Sequence, residues 1–259
     1  TAQEDFSPEY QNPTKNERYT HNSIHTTVYT QAETEDYTDF FLQAHKAVEQ
    51  TDYWKKRGLS KETVDRFKLG YVAEWRHPKA PKAPTSPRLI IPTSTGSYLA
   101  RDTRDEIPAE QKPYSKSKVG SIQLFNKRAL QTATKPIFIV EGELDALSII
   151  EVGGEAVALG TTTKSKALVE LLKAQAPAQA LIIALDNDEA GQRASRELTE
   201  GLQGLNIPCY SFNPCGEYKD ANEALQGNRE ALRQAVEEAE HIQDEAEQAQ
   251  REAYLSTST

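Results

Sequence analysis

From residue 135 onward, short apolar runs alternate with amphipathic stretches. KPIFIV, EAVALG, ALIIAL and PCYSF are runs of strand length. Between them, EGELDALSIIEVGG, SKALVELLKAQ and DEAGQRASRELTEGLQGL carry apolar positions at helical spacing, and KDANEALQG follows the last run. Strands that alternate with helices at this spacing predict a parallel sheet covered by helices. Upstream the pattern is less regular. Phe40, Phe41, Ala44 and Val48 recur at helical spacing within 37–49. TDYWKKRGLSKETVDRFKLGYV then predicts a helix pair, stopped at Gly58 and restarted by a cap at Ser60. WRHPKAPKAPTSP (75–87) is proline-rich and basic, hence an extended loop, and RLIIPTSTGSYLARDT (88–103) predicts a hairpin. Residues 1–35 are polar and aperiodic and are expected to be disordered or extended. Residues 229–250, rich in Ala, Glu, Gln and Arg, predict a helix with little apolar face, an exposed extension or linker. The division expected is 1–35, 36–134, 135–227 and 228–259.

Charge sharpens this division. The chain of 259 residues carries a net charge of −9, which argues against a polyanion as partner. The average conceals a contrast: −6 over residues 1–50, +10 over 51–135 and −13 over 136–259. A basic segment joined to an acidic one is what a polyanion-binding surface beside a cation site requires, although charges sorted onto solvated faces would give the same numbers. No apolar stretch is long enough to span a membrane, and no signal-peptide pattern opens the chain. The two cysteines, Cys209 and Cys215, are expected as reduced thiols of a cytoplasmic protein. A chain that starts at Thr and contains no Met is expected to be a fragment of something longer.

The candidate chemistry lies at the strand ends. In open parallel sheets, ligands bind beyond the carboxyl ends of the strands. Glu141 follows the first apolar run, Asp186 and Asp188 follow the third, and Asp220 opens the helix after the fourth. Two carboxylates as close as Asp186 and Asp188 repel unless a cation or a proton sits between them. Donor sets made only of oxygen suit Mg²⁺ or Mn²⁺, which keep several waters and bridge to phosphate oxygens. Helix capping is the competing explanation for Asp-x-Asp.

Taken together, EGELDAL and the DND that follows 45 residues later closely resemble the Toprim domain over residues 135–227. This metal-binding fold is shared by bacterial-type primases, topoisomerases and some small nucleases. The resemblance implies Glu141, Asp186 and Asp188 as catalytic metal ligands, with Asp145 and Asp220 as further acidic members of the site. Residues 51–135 resemble the segment that precedes Toprim in bacterial (DnaG-type) primases. The resemblance rests on YWKKRGLSKETVDRFKLGY, RLIIP, YLARDTR, QKPYSKSK and IQLFNKRAL. It implies an α/β fold in which a smaller basic, primase-type subdomain precedes a Toprim parallel sheet flanked by helices. It also implies Arg88, Arg101, Lys112 and Lys127 as contacts to template and nucleotide phosphates, with Lys116 and Lys118 as weaker candidates.

The expected activity is that of a DNA primase catalytic core, making short RNA primers on single-stranded DNA from nucleoside triphosphates with Mg²⁺ or Mn²⁺. A replicative helicase is a candidate partner. The expected setting is a larger replication protein of a phage, plasmid or integrative element. Two departures stand out. Asn222 in KDANEAL replaces an Asp usual in such primases, and no Cys or His set at the start forms their zinc module. A Toprim nuclease and a binding module without synthesis remain as alternatives, and a topoisomerase would need a second large domain with a catalytic Tyr.

Overall fold

The computed structural model describes residues 35–121, 123–161, 164–186 and 188–241. The expected extended segment, apart from Glu35, lies outside them, as do residues 242–259 of the C-terminal extension.

The apolar runs become strands where expected. β5 (Ile137–Val140), β6 (Glu155–Ala158), β7 (Leu181–Ile183) and β8 (Cys209–Ser211) form a parallel sheet in the order β6-β5-β7-β8. The crossovers are α5 (Glu143–Glu151), α6 (Ser165–Ala174) and α7 (Glu189–Gln203), and α8 (Ala221–Gly227) follows β8. Because side chains alternate across a strand, β5 feeds two cores. Ile137 and Ile139 pack with Val157, Leu168, Leu198 and Leu202 on one face. Phe138 and Val140 pack with Leu147, Ala158, Leu225 and Val236 on the other.

Upstream lies a four-stranded antiparallel sheet in the order β1-β2-β3-β4: β1 (Gly70–Trp75), β2 (Ser86–Ser94), β3 (Ser97–Asp102) and β4 (Lys116–Gly120). The β2–β3 hairpin is the expected one. Its outer partners are not legible as apolar runs, because Lys116 and Lys118 in β4 and Tyr71 and Glu74 in β1 break the alternation. Helix α1 (Thr38–Lys46) covers one face through Phe41 and Ala44, against Ile90, Tyr98 and Ala100. On the other face Leu89, Ile91 and Leu99 join the same core as Phe138 and Val140. The basic sheet and the parallel sheet therefore share apolar packing.

Short helices complete that shared core. α2 (Tyr53–Lys56) and α3 (Lys61–Arg66) meet at Gly58, whose φ of +77° permits the reversal. The Ser60 hydroxyl caps α3 by accepting from the Thr63 amide at 3.2 Å. Phe125 pairs with Ala158 through two backbone hydrogen bonds of 3.0 and 3.2 Å, so the LFNK segment shields the edge strand β6.

The C-terminal region differs from the sequence expectation. A helix runs from 229 through 241, and Leu232, Val236 and Ala239 are all buried in the shared core. They fall four and three residues apart, on one face, and burial of a Leu or Val side chain is worth about 1.5–3 kcal/mol. This part of the helix is docked rather than an exposed linker.

Candidate functional site

Strand order places the acids. The chain leaves β5 toward β6 on one side, then crosses to β7 on the other, so connections diverge between the carboxyl ends of β5 and β7. Such a switch point opens a crevice in a parallel sheet. Glu141 directly follows β5, and Asp186 follows the neighbouring β7. Asp188 caps α7, accepting from the Gly191 amide at 2.8 Å, and Asp220 caps α8, accepting from the Glu223 amide at 2.8 Å. Capping and membership of the acidic group thus coexist in the same two residues.

Gly191 holds this turn. A Cβ there would meet the Asp186 carbonyl oxygen at 2.0 Å, so α7 approaches the acidic loop as closely as backbone allows. Gly191→Ala is expected to destabilise the protein by about 1–3 kcal/mol through this clash. A chemical denaturation midpoint equal to that of the wild type would show that the turn yields without cost.

The carboxylates feel one another. Burial raises Glu141, and Asp186 and Asp188 add to the shift. Burial also raises Asp186, reinforced by Asp220 and Asp188. Asp145 is pushed up to about 7 by burial first, then by Asp220 and Asp186, against an opposing hydrogen bond from the Asn222 amide at 3.2 Å. Cys215, which the sequence reading left as a plain thiol, borders the same group. Burial, Asp145, Asp220 and Asp186 push its thiol up to about 12, so it stays protonated and is a poor ligand. The sequence held no signal for this placement, because a turn before α8 brings it there.

The cations facing these acids come from β4 and from Lys219 before α8, which opposes the charge on Asp186 more than Lys116 does. Lys116 opposes the charge on Glu141, Asp145 and Asp186, and Lys118 that on Glu141. The two share a strand face, being two residues apart. Lys118 also donates to the Gly160 carbonyl and lies 3.7 Å from the Glu143 carboxylate, bracing β4 against the loops after β5 and β6. Sequence reasoning had ranked these two lysines below Lys112 and Lys127. The latter are exposed, in the 3-10 turn Ala109–Tyr114 and in the turn before α4 (Ala129–Thr132). Arg101 is half-buried and donates to the Tyr53 hydroxyl at 2.8 Å, lining a cavity with Arg57, Arg104 and Lys116.

Arg88 stands apart from the other basic candidates. Its side chain is almost wholly buried at the wall of a cavity, and its donors are engaged within the protein. It donates to Ser86 Oγ at 2.9 Å and to the carbonyls of Tyr114 and Ser115 at 2.7 and 3.1 Å, and lies 3.6 Å from Asp102. A guanidinium on an inner sheet position finds enough acceptors to be kept inside. Asn222, which stands where such primases usually carry an Asp, has its side-chain oxygen engaged within the protein. That oxygen accepts from Arg57 at 3.1 Å and Gln226 at 3.0 Å, while the amide nitrogen donates to the Arg57 carbonyl and Ser148 Oγ, both at 3.0 Å. An ionised Asp could not make those two donations. Asn222 instead links Asp145, through Arg57 and Tyr53, to Arg101 in the basic sheet.

The donor set suits a hard divalent cation. Glu141, Asp145, Asp186, Asp188 and Asp220 offer only oxygens, and the raised carboxyl groups show repulsion that a cation would relieve. Among the described residues no three His, Cys, Asp or Glu side chains already form a group that could hold an ion.

Comparison with known proteins bears on the fold that carries these residues. Residues 138–225 match the Toprim-like family. A DNA primase of Mycoplasma genitalium is 33% identical over 115 residues, covering 43% of this chain and 19% of that protein. The chain thus spans about a fifth of the length of this curated relative. The DnaG catalytic core superposes with a TM-score of 0.58 at 16% identity, covering 77% of each chain. The primase fragment of the bacteriophage T7 primase-helicase gives 0.52 at 22% identity, covering 70% of this chain and 72% of that one. The RNA polymerase domain of Mycobacterium tuberculosis primase DnaG, in complex with double-stranded DNA, gives 0.53 at 20% identity over 76% of each chain. The chain carries a Toprim-like domain, and its α/β fold is that of a primase catalytic core.

Proposed function

We propose that this chain is the catalytic core of a DNA primase, which joins ribonucleotides into short primers on single-stranded DNA. The observation that carries the reading is the acidic crevice at the β5–β7 switch point, faced by Lys116 and Lys118 from the basic sheet. In the reaction, the 3′ oxygen of one nucleotide attacks the α-phosphorus of the next. A new P–O bond forms, the bond to pyrophosphate breaks, and the hydroxyl proton is released. Glu141, Asp186 and Asp188 would hold Mg²⁺ or Mn²⁺, with Asp145 and Asp220 beside them. When bound, the ion neutralises phosphate charge and orients the α-phosphate.

The chain's own groups do the rest. Lys116 supplies positive charge where the triphosphate meets the acids. The Tyr53–Arg57–Asn222 hydrogen bonds hold the wall of the crevice that carries Asp145 and present Arg101 beside it. No residue need become a covalent nucleophile. Lys112 and Lys127, on the exposed basic surface, would hold template phosphates. Among the described residues no helix is long and apolar enough to cross a membrane. A cytoplasmic replication protein of a mobile element, working with a helicase, is the setting that this reading favours.

Incubating single-stranded DNA with labelled ribonucleotides and Mg²⁺ or Mn²⁺ tests the reading. New labelled oligomers support a primase. Shortened DNA would instead mean a nuclease that uses the same acids to activate water, and a mobility shift alone would mean a binding module. Binding itself should depend on salt, with affinity falling roughly 0.7 log units per log unit of salt for each phosphate neutralised. Lys112→Ala with Lys127→Ala is expected to flatten that slope by about 1.4, since two counterion releases are removed. An unchanged slope in the double variant would place the template elsewhere.

A further inference from the structure

Beside the acidic crevice, the proline-rich loop 76–85 and the segment 109–117 line an open cavity of about 720 Å³. Trp75, Pro84 and Tyr114 give it apolar walls, and Lys79, Lys116 and Lys118 supply cations against one carboxylate, Glu110. Tyr114 is unusual here: it is 65% exposed, and Leu42 is the other large apolar side chain left exposed among the described residues. Its ring is presented by a fixed backbone, since the buried Arg88 holds the carbonyls of Tyr114 and Ser115. The loop opposite is fastened too, as His77 bonds the Lys118 carbonyl at 3.3 Å and Arg76 donates to the Pro81 carbonyl at 2.9 Å. An exposed aromatic ring on an anchored backbone, flanked by lysines, is the chemistry of a base-stacking platform with phosphate contacts.

We propose that this cavity is a subsite for one nucleotide of a single strand, with the base stacked on Tyr114 and the adjoining phosphate held by Lys79 and Lys118. A strand is favoured over a free nucleotide because the cationic lining does not end here. Lys116 also lines a second cavity of about 340 Å³, where it joins Arg57, Arg101 and Arg104 against two carboxylates, Asp102 and Asp105, so that cations stay in excess. Together the two give a basic path longer than a single nucleotide, passing the acids at Lys116. The largely buried Arg88, part of the cavity wall, also serves this surface by fixing the tyrosine's backbone. Only the identity of the strand as template rests on the polymerase reading; binding at Tyr114 does not require synthesis.

The test uses the full chain and a 12-nucleotide oligothymidylate without added ribonucleotides. Tyr114→Ala is expected to weaken binding about tenfold, and Tyr114→Phe, which keeps the ring, to bind within about twofold of the wild type. Lys79→Ala is expected to lower the salt slope by about 0.7. Thermal unfolding of each variant checks that the fold is kept. In parallel, an oligothymidylate carrying 5-iodouracil is photocrosslinked and the adduct is mapped by mass spectrometry, with free 5-iodouridine triphosphate as the second arm. An adduct with Tyr114 or Trp75 from the oligonucleotide supports the subsite. Unchanged affinity in a folded Tyr114→Ala, or an adduct from the free nucleotide alone, overturns it. Since no synthesis is measured, a failed priming assay and a failed subsite are separate results.

Discussion

Asp186→Asn is expected to reduce primer synthesis by about a thousandfold or more while the protein remains folded. Asp186 stands at the centre of the acidic group, raised by burial and by Asp220 and Asp188, and it raises Glu141 and Asp145 in turn. A cation that polarises phosphoryl oxygens supplies several kcal/mol of transition-state stabilisation, and each 1.36 kcal/mol is tenfold in rate. Amide for carboxylate keeps the shape but removes the charge that holds the ion. The same change relieves repulsion in the metal-free protein, so its unfolding midpoint in a chelator should match or exceed that of the wild type. Single-stranded DNA affinity and its salt slope should stay nearly intact, because the basic residues are untouched. Activity within tenfold of the wild type, in a protein that still responds to Mg²⁺, would remove Asp186 from the mechanism.

The second large effect is on stability against pH. Asp145 is pushed up from 3.8 to about 7, and Asp186 and Glu141 are raised as well. A carboxyl raised on folding binds its proton more tightly in the native state than in the unfolded chain. Its stabilising contribution is full below about pH 4 and is lost as pH rises through about 7. For Asp145, burial and the neighbouring Asp220 and Asp186 set the direction of this loss. In a chelator, the stability difference between wild type and Asp145→Asn should therefore shift against the wild type as pH rises from 5 to 8. Millimolar Mg²⁺ should recover wild-type stability at pH 8 and add little at pH 5, where protons compete for the same oxygens. A difference that is flat with pH would mean that Asp145 ionises as an ordinary surface acid.

The parallel sheet was open to inspection along the chain because β5, β6 and β7 are buried on both faces and therefore read as apolar runs bounded by helices. The acids were visible for a related reason. A charged residue directly after such a run stands at a strand's carboxyl end whatever the strand order, so Glu141, Asp186 and Asp188 could be singled out before any folding. The β1 and β4 strands were not visible, since one-sided antiparallel strands carrying Lys116, Lys118 and Glu74 resemble polar loop. Nor was the docking of Leu232, Val236 and Ala239, because three apolar positions among many acids show a face only when a core receives them.

Tertiary structure alone sorted the cations and the polar partners. In sequence, Arg88 and Lys116 are equivalent basic residues in basic segments. Folding turns Arg88 inward to the carbonyls of Tyr114 and Ser115, and turns Lys116 toward the acids of the neighbouring sheet. Asn222 likewise reads as a lost ligand until Arg57, 165 residues away, is found bonded to its side-chain oxygen. Periodicity and strand ends are local properties, fixed by backbone geometry within a few residues. Which lysine meets a carboxylate is a property of the packing between two sheets, and no local pattern carries it.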